Sequence, residues 1–209
     1  TVKSRSLAES LIKQGSVEVN GRICTKASFA VDENDNIRII GEMPKYVGRG
    51  GLKLEKALSH YRLHLDGSVC IDIGASTGGF TDCMLQNGAV KVYSVDVGTD
   101  QLDEKLRNDP RVVSMEKTDI RNCVGALPAV DFIGIDVSFI SLKLVLPSAY
   151  ALLKDGGECV ALIKPQFEAG KSHLSKHGIV RDSKVHKKVC DDISEFASTL
   201  GFERGEVIS

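Results

Sequence analysis

The alternation of strand and helix patterns after residue 50 constrains the fold of this chain most strongly. Short apolar runs, typical of buried strands, alternate with longer segments in which apolar residues recur at helical spacing. This pattern predicts βαβ units and therefore an α/β domain with a mostly parallel sheet. Strands are expected at residues 69–73, 91–97, 111–115, 132–137 and 158–163, with a further one beginning at 204–208. Helices are expected at residues 51–60, 79–86, 101–107, 141–153 and 183–200.

The first forty residues predict a smaller α+β module. A helical pattern is followed by two short strands around the tight-turn signal Asn20-Gly21, and by a third strand that contains Ile37 and Ile39. The following segment contains Pro44 and several glycines, which is typical of a linker. We therefore expect three parts: the small module at residues 1–41, the linker at 42–50 and the α/β domain at 51–209.

Composition limits the kinds of protein that this chain can be. Of its 209 residues, 42% are apolar and 26% are charged, the balance of a soluble globular protein. No apolar stretch approaches the roughly 20 residues that span a bilayer. The six cysteines are scattered without a C-x-x-C pair, so we expect reduced thiols in a cytoplasmic protein that binds neither a metal nor a membrane.

Charge is unevenly distributed along the chain, although the net charge is only −1. Residues 1–62 carry 11 Lys/Arg against 7 Asp/Glu, and residues 164–188 carry 7 against 2. Two basic zones on a nearly neutral protein are consistent with a surface for a polyanion, although either could be a solvated face.

A glycine-rich loop follows the first strand of the larger domain, and it is typical of a nucleotide-cofactor site. Ser76 stands where a dinucleotide fingerprint has its second glycine, which disfavours a nicotinamide-dependent oxidoreductase. The Gly-Lys-Ser/Thr ending of a phosphate-binding loop is also absent. A nucleoside cofactor without phosphate is therefore favoured, with Asp96 accepting from the ribose hydroxyls and Asp119 lying near the adenine. We expect the cofactor to be bound by Asp72, Gly74, Ser76, Thr77, Gly78, Phe80, Asp96 and Asp119.

Asp136 and Lys164 each end an apolar strand, so both side chains should emerge at the ligand-binding edge of the sheet. Pro165 is expected to hold Lys164 in an extended conformation. Lys164 is the candidate for accepting the proton of a hydroxyl group, and Asp136 is the candidate for orienting it. An amine accepts a proton only when it is uncharged, which burial or a nearby cation such as Lys53 favours and Asp136 opposes.

Five motifs in order resemble the TlyA (hemolysin A-like) family. They are YVGRGGLKL at residues 46–54, DIGASTGGF at 72–80, IDVSFI at 135–140, KPQFE at 164–168 and GIVRD at 178–182. The resemblance covers nearly the whole chain. It implies an S4-like RNA-binding domain at residues 4–39, joined to a Rossmann-like, FtsJ-like methyltransferase domain that uses S-adenosylmethionine.

The resemblance also implies a reaction and a set of catalytic residues. The reaction is ribose 2′-O-methylation of cytidine in ribosomal RNA, with ribosomal RNA or ribosomal subunits as partners. Lys53, Asp136 and Lys164 are implied as three members of the family's Lys-Asp-Lys-Glu set, and the role of Lys53 depends mainly on this resemblance. The fourth member would lie beyond Ser209, and both domains are expected to be incomplete at their outer ends. We therefore expect the chain to bind the methyl donor but to turn over slowly.

The RNA is expected to contact two sets of basic residues, one on each domain. A non-catalytic RNA-binding or ribosome-binding protein that keeps the methyltransferase fold is an alternative hypothesis. Pore formation, which the name hemolysin suggests, has no support in the sequence. The candidate RNA-binding residues are Lys3, Arg5, Lys13, Arg22 and Lys26 in the first domain, and Lys171, Lys176, Arg181, Lys184 and Lys188 in the second.

Overall fold

The computed structural model describes Val2 and residues 5–41 and 44–209, apart from the side chains of Ser6, Leu7, Ser10 and Lys171. The chain divides into two compact units, residues 1–47 and residues 48–209. Within the described residues, no helix is long and apolar enough to cross a membrane.

The first unit is a small α+β module, as predicted. Helix α1 (Arg5–Lys13) precedes the strands β1 (Val17–Val19), β2 (Arg22–Cys24) and β3 (Ile37–Ile39), which form an antiparallel sheet in the order β2-β1-β3. The turn between β1 and β2 places Asn20 and Gly21 at φ values of 51° and 78°, the conformation of a tight hairpin. Leu11 of α1 is buried, as are the two valines of β1.

The second unit is an α/β domain with a five-stranded sheet in the order β6-β5-β4-β7-β8, in which all neighbouring strands are parallel. The predicted mostly parallel sheet is therefore confirmed. The strands are β4 (Val69–Ile73), β5 (Lys91–Val95), β6 (Val112–Met115), β7 (Val130–Ile135) and β8 (Leu153–Ala161). The helices are α2 (Gly50–Tyr61), α3 (Gly79–Gln86), α4 (Glu104–Arg107), α5 (Leu142–Leu152), α6 (Pro165–Glu168) and α7 (Ser183–Leu200), with 3-10 turns at Ile120–Asn122 and Lys171–His173.

The core forms because the central strands β4 and β7 are apolar along almost their whole length. Ile71, Ile133 and Ile135 are fully or almost fully buried, and each such side chain stabilises the fold by about 1.5–3 kcal/mol. One face of the sheet packs against α5 and α7 through an apolar cluster. The order of the strands changes direction at β4, so the carboxyl ends of β4, β5 and β7 surround a crevice.

The strand expected at residues 204–208 is not formed. These residues have no regular structure and lie along α2. Tyr61 donates a hydrogen bond to the Glu206 carbonyl, and Lys56 donates to the Ser209 carbonyl. The prediction was wrong because alternating apolar residues make a strand only when another strand supplies a hydrogen-bonding ladder, and here side chains of α2 bind the carbonyls instead.

Candidate active site

The loop after β4 approaches the backbone just beyond the neighbouring strand β7 so closely that it requires glycine. Gly74 has a φ of +85°, and a Cβ at this position would lie 2.7 Å from the Asp136 carbonyl oxygen. Ser76, in the place of the second glycine of a dinucleotide fingerprint, has a φ of 48°, which is uncommon for a residue with a side chain. The loop therefore keeps a glycine-like path without a glycine at Ser76.

Asp96 joins the ends of β4 and β5. Its Oδ2 accepts a hydrogen bond from the Ser76 amide (2.8 Å), and its Oδ1 accepts from the Gly98 amide (2.7 Å). Each carboxylate oxygen can accept more than one hydrogen bond, so the residue retains capacity for two hydroxyl donors. This geometry is compatible with the predicted ribose contact.

Asp72 lies beneath the loop and is fully buried. Its Oδ2 accepts from both the amide (2.9 Å) and the hydroxyl (2.7 Å) of Thr81. The pKa of this carboxyl is raised to about 7, chiefly by burial. The bonds from Thr81 lower the pKa and the charges of Asp136 and Asp96 raise it, and the value of about 7 includes these effects. Its Oδ1 has no hydrogen-bond partner among the residues that the structure describes.

Asp119 has partners of its own. Its carboxylate accepts from the guanidinium of Arg121 at 2.6–3.1 Å and from the Arg121 amide at 3.0 Å. These bonds hold the pKa of Asp119 below its usual value. A contact with adenine must therefore use lone pairs that Arg121 leaves available, and the adenine contact of Asp119 stays a prediction.

The three candidate catalytic residues come together at one carboxylate. Lys164 Nζ lies 2.5 Å from Asp136 Oδ1, and Lys53 Nζ lies 3.9 Å from Asp136 Oδ2. Lys164 is extended at a φ of −111° and a ψ of 99°, as Pro165 predicts, and also donates to Ser138 Oγ at 3.0 Å. The side chain of Lys53 is 54% exposed, against 20% for Lys164. Lys164 is therefore the more buried of the two lysine side chains.

A pocket of about 210 Å³ contains both this cluster and the glycine-rich loop. Among the predicted residues, it is lined by Gly74, Ser76, Thr77, Phe80, Asp136 and Lys164. A larger pocket of about 340 Å³, near Asp66 and Gly88, lies at the amino ends of the strands and holds none of the candidate residues. Since ligands of such sheets bind at the carboxyl ends of the strands, the smaller pocket is the candidate active site.

Other predicted residues support the pocket from outside. Gly78 has a φ of +95°, and a Cβ there would meet Leu106 at 2.2 Å, so this glycine lets the loop pack against α4. Lys53 lies at the rim beside Asp136.

Four residues line the pocket in addition to those predicted from the sequence: Gly48, Arg49, Gly50 and Ser138. A Cβ on Gly48 would lie 2.7 Å from Thr77 Oγ1, and one on Gly50 would lie 3.4 Å from Asp136 Oδ2. The glycines in residues 42–50, which were interpreted as a linker, could have indicated this part of the pocket, because glycines permit close packing against the cofactor loop.

The candidate RNA-binding residues lie on the surfaces of both units. In the first unit, Arg5 pairs with Glu9 (3.2 Å) on α1, and Lys13, Arg22 and Lys26 are exposed. Lys3 and the side chain of Lys171 lie outside what the structure describes. In the second unit, the predicted residues Lys176, Arg181, Lys184 and Lys188 are exposed.

Comparison with known proteins identifies the two units. The model of FtsJ-like methyltransferases matches residues 46–209, and the S4 domain model matches residues 2–37. The chain belongs to the FtsJ-like methyltransferase family. The expected S4-like and FtsJ-like domains are thereby confirmed, as is the resemblance to TlyA proteins.

Relatives of this FtsJ-like methyltransferase align with almost the whole chain. A Bacillus subtilis protein named as a candidate rRNA methyltransferase, YqxC, is 46% identical over 96% of the chain and 72% of its own length. The 16S/23S rRNA (cytidine-2′-O)-methyltransferase TlyA of Mycobacterium tuberculosis is 37% identical over 96% of the chain and 76% of its own length. A solved structure from Streptococcus thermophilus, described as a candidate hemolysin, has a TM-score of 0.78 at 47% identity, covering 96% of the chain and 74% of its own.

The residues of this FtsJ-like methyltransferase fit S-adenosylmethionine, the cofactor of the family. The loop residues Gly74, Ser76 and Thr77 line the pocket, and Asp96 can accept from ribose hydroxyls. The unpartnered, buried Oδ1 of Asp72 is suited to a positively charged or hydrogen-bonding group above it. The expected enzyme class, an S-adenosylmethionine-dependent methyltransferase, is therefore confirmed.

Proposed function

We propose that this chain methylates the ribose 2′-hydroxyl of a cytidine in ribosomal RNA. The observation that carries the proposal is the Lys164–Asp136 pair in the same pocket as the cofactor loop. Such a pair can position a hydroxyl group and take up its proton. The name of the M. tuberculosis relative supports cytidine and ribosomal RNA as the substrate.

In the proposed mechanism, the chain holds the donor and the acceptor in line. Gly74, Ser76 and Asp96 would hold the nucleoside part of S-adenosylmethionine. When bound, S-adenosylmethionine supplies a methyl carbon on a positively charged sulfur, which the ribose oxygen can attack. Fixing both partners in this geometry removes much of the entropic barrier.

Lys164 would contact the 2′-hydroxyl and accept its proton as the oxygen–carbon bond forms and the bond between the methyl carbon and sulfur breaks, leaving a neutral thioether. Asp136, 2.5 Å away, orients the amine. Lys53 lies on the other oxygen of Asp136, at 3.9 Å, so the carboxylate is placed between the two lysines. Ser138 accepts a hydrogen bond from Lys164 and limits the directions in which its Nζ can point.

The S4 domain and the basic zone of the second unit would bind the RNA through its phosphates. Lysine and arginine side chains on both units are exposed and available to a polyanion. Since ribosomal RNA is the proposed substrate, we also propose that the enzyme acts in the cytoplasm.

Methyl transfer from tritiated S-adenosylmethionine to ribosomal subunits tests the proposal. The wild-type chain, or a chain extended beyond Ser209 if turnover is slow, should label a cytidine ribose. Lys164→Ala should abolish labelling but change the dissociation constant of S-adenosylhomocysteine by no more than about twofold, because the lysine acts on the acceptor. Lys154→Ala, on an exposed lysine of β8 that pairs with Asp131, is the matched control.

Two outcomes would contradict the proposal. Undiminished transfer by Lys164→Ala would remove Lys164 as the proton acceptor. RNA binding without any transfer, even by the extended chain, would favour the non-catalytic RNA-binding alternative.

A further inference from the structure

The catalytic pair is carried by two loops that lead into different helices. Asp136 follows β7 on the loop to α5, and Lys164 follows β8 on the loop to α6. The pairing of the two strands extends to the bond from the Leu162 amide to the Ile135 carbonyl (2.9 Å). Beyond that bond, other contacts must keep the two loops together.

The carboxylate of Glu168 makes such a contact. Its Oε1 accepts from the Leu142 amide at 2.7 Å, and its Oε2 accepts from the Ser141 hydroxyl at 2.5 Å. Both bonds are partly buried, and they lie at the amino end of α5, where the helix dipole favours a negative charge. Hydrogen bonds to a carboxylate are short and strong, so Glu168 joins the α6 turn firmly to the start of α5.

The hydrogen bonds of Glu168 join two segments that each contact the Lys164 side chain or carry it. Glu168 and Lys164 share one helical turn, closed by the bond from the Phe167 amide to the Lys164 carbonyl (2.9 Å). On the other side, Ser141 ends the loop whose Ser138 hydroxyl accepts from Lys164 Nζ at 3.0 Å. A movement of α6 relative to α5 would therefore change the position of Lys164 relative to Asp136.

We infer that Glu168 is a positioning residue: by bridging Ser141 and Leu142 it holds Lys164 against Asp136 and Ser138 in the geometry that methyl transfer needs. Glu168 itself is not among the residues that line the pocket. This inference rests on the proposed role of Lys164 and assigns a function to a residue outside the catalytic set.

Kinetics of Glu168→Ala test the inference in the active form of the enzyme. We expect kcat to fall by about tenfold or more, because small misplacements of catalytic groups are costly. The KM for ribosomal subunits and the dissociation constant of S-adenosylhomocysteine should change by less than about twofold. Glu168→Gln should recover part of kcat, since its carbonyl can accept from Leu142 and its amide can donate to Ser141. Glu195→Ala, on the exposed face of α7, is the control.

A parallel loss of cofactor affinity in Glu168→Ala, or a kcat equal to that of Glu195→Ala, would overturn the inference.

Hydrogen exchange of the Leu142 amide gives a measurement that does not depend on activity. The amide should exchange faster in Glu168→Ala and remain protected in Glu168→Gln. Slow exchange of this amide in an active Glu168→Ala enzyme would show that Glu168 does not hold the start of α5, and would leave the proposed function intact. Absence of methyl transfer by the wild type would overturn the proposed function and the positioning role with it.

Discussion

Asp136 is the residue at which the two halves of the candidate site meet. Its backbone carbonyl faces Gly74 of the cofactor loop, and its carboxylate faces Lys164 and Lys53. The position directly after β7 makes both contacts possible, because the strand holds the backbone while the side chain enters the pocket. A single residue thus contacts both the glycine-rich loop and the two lysines.

Asp96 and Asp119 should contribute unequally to cofactor affinity. Asp96→Ala loses two hydroxyl contacts, each worth about 1.5–3 kcal/mol, together with the bonds that fix the Ser76 and Gly98 amides. Asp119→Ala loses at most one adenine contact, since Arg121 already occupies much of its carboxylate. Calorimetry with S-adenosylhomocysteine should show the larger loss for Asp96→Ala. An equal or larger loss for Asp119→Ala would contradict this ranking.

The buried carboxyl of Asp72 should make stability depend on pH. Its pKa is raised from 3.8 to about 7 by burial, so the folded protein holds a proton that the unfolded chain releases at lower pH. Its contribution to the free energy of unfolding is therefore greatest below about pH 4 and is lost as the pH rises towards 7, by an amount on the order of 2–4 kcal/mol. Urea unfolding of Asp72→Asn should show its stability improving relative to wild type across this range. A constant difference between the two proteins would show that Asp72 does not titrate there.

At the scale of elements, the loops after β4, β7 and β8 line much of the pocket, and each is held by contacts distant in sequence. The loop after β4 depends on Asp96, and the loops after β7 and β8 are joined by Glu168. A comparable contact shapes the loop after β5, where Glu116 accepts from the amides of residues 100–102 at 2.8–3.2 Å. Carboxylates that bind backbone amides therefore replace regular structure where the strands end.

Gly74→Ala should damage the cofactor loop more than the same change at a glycine with a similar backbone. Gly67 also has a positive φ (+74°), but no atom lies within 4 Å of its ideal Cβ, whereas at Gly74 a Cβ would lie 2.7 Å from the Asp136 carbonyl oxygen. Both variants pay the cost of the left-handed conformation, about 1–2 kcal/mol, and Gly74→Ala must also move the loop. Thermal unfolding should show a loss of stability in both variants. Cofactor titration should show a loss of affinity for Gly74→Ala alone. Equal affinity in the two variants would contradict the close approach.

At the scale of the whole molecule, the chain joins a unit that matches S4 domains to a unit that matches FtsJ-like methyltransferases. The first is a small antiparallel sheet with one helix, and its buried apolar core is small. The second contains the complete candidate pocket within its own residues. Cofactor affinity should therefore depend on the second unit, and RNA affinity on basic residues of both.

Neutralising Lys13, Arg22 and Lys26 together should weaken RNA binding and reduce its dependence on salt. Each lost phosphate contact should lower the slope of log K against log salt by about 0.7 on single-stranded RNA. Lys91→Gln is the control, because Lys91 lies at the amino end of β5, whereas the pocket lies at the carboxyl ends of the strands. Fluorescence anisotropy with a ribosomal RNA fragment at several salt concentrations measures the slope. An unchanged slope in the triple variant would exclude these residues from the interface.

Most strands and helices of the second unit, and the glycine-rich loop, follow from the sequence alone, although the α6 turn was not predicted. Apolar periodicity and glycine positions are local signals, and they predicted β4, α3 and α7 with the bounds that the structure has. They also placed Asp136 and Lys164 at the same edge of the sheet, because parallel strands end together. Signals of this kind need no knowledge of which strands are neighbours.

Contacts between distant residues were decided only by the tertiary structure. The Glu168 bridge spans 27 residues to Ser141 and depends on β7 lying beside β8. The placement of Gly48 and Gly50 in the pocket wall depends on how α2 packs against the cofactor loop, and the fate of residues 204–208 depends on the hydrogen-bond donors of α2. The physical reason is that a side chain takes the partner that folding brings to it, whereas periodicity reports only which face of its own element it occupies.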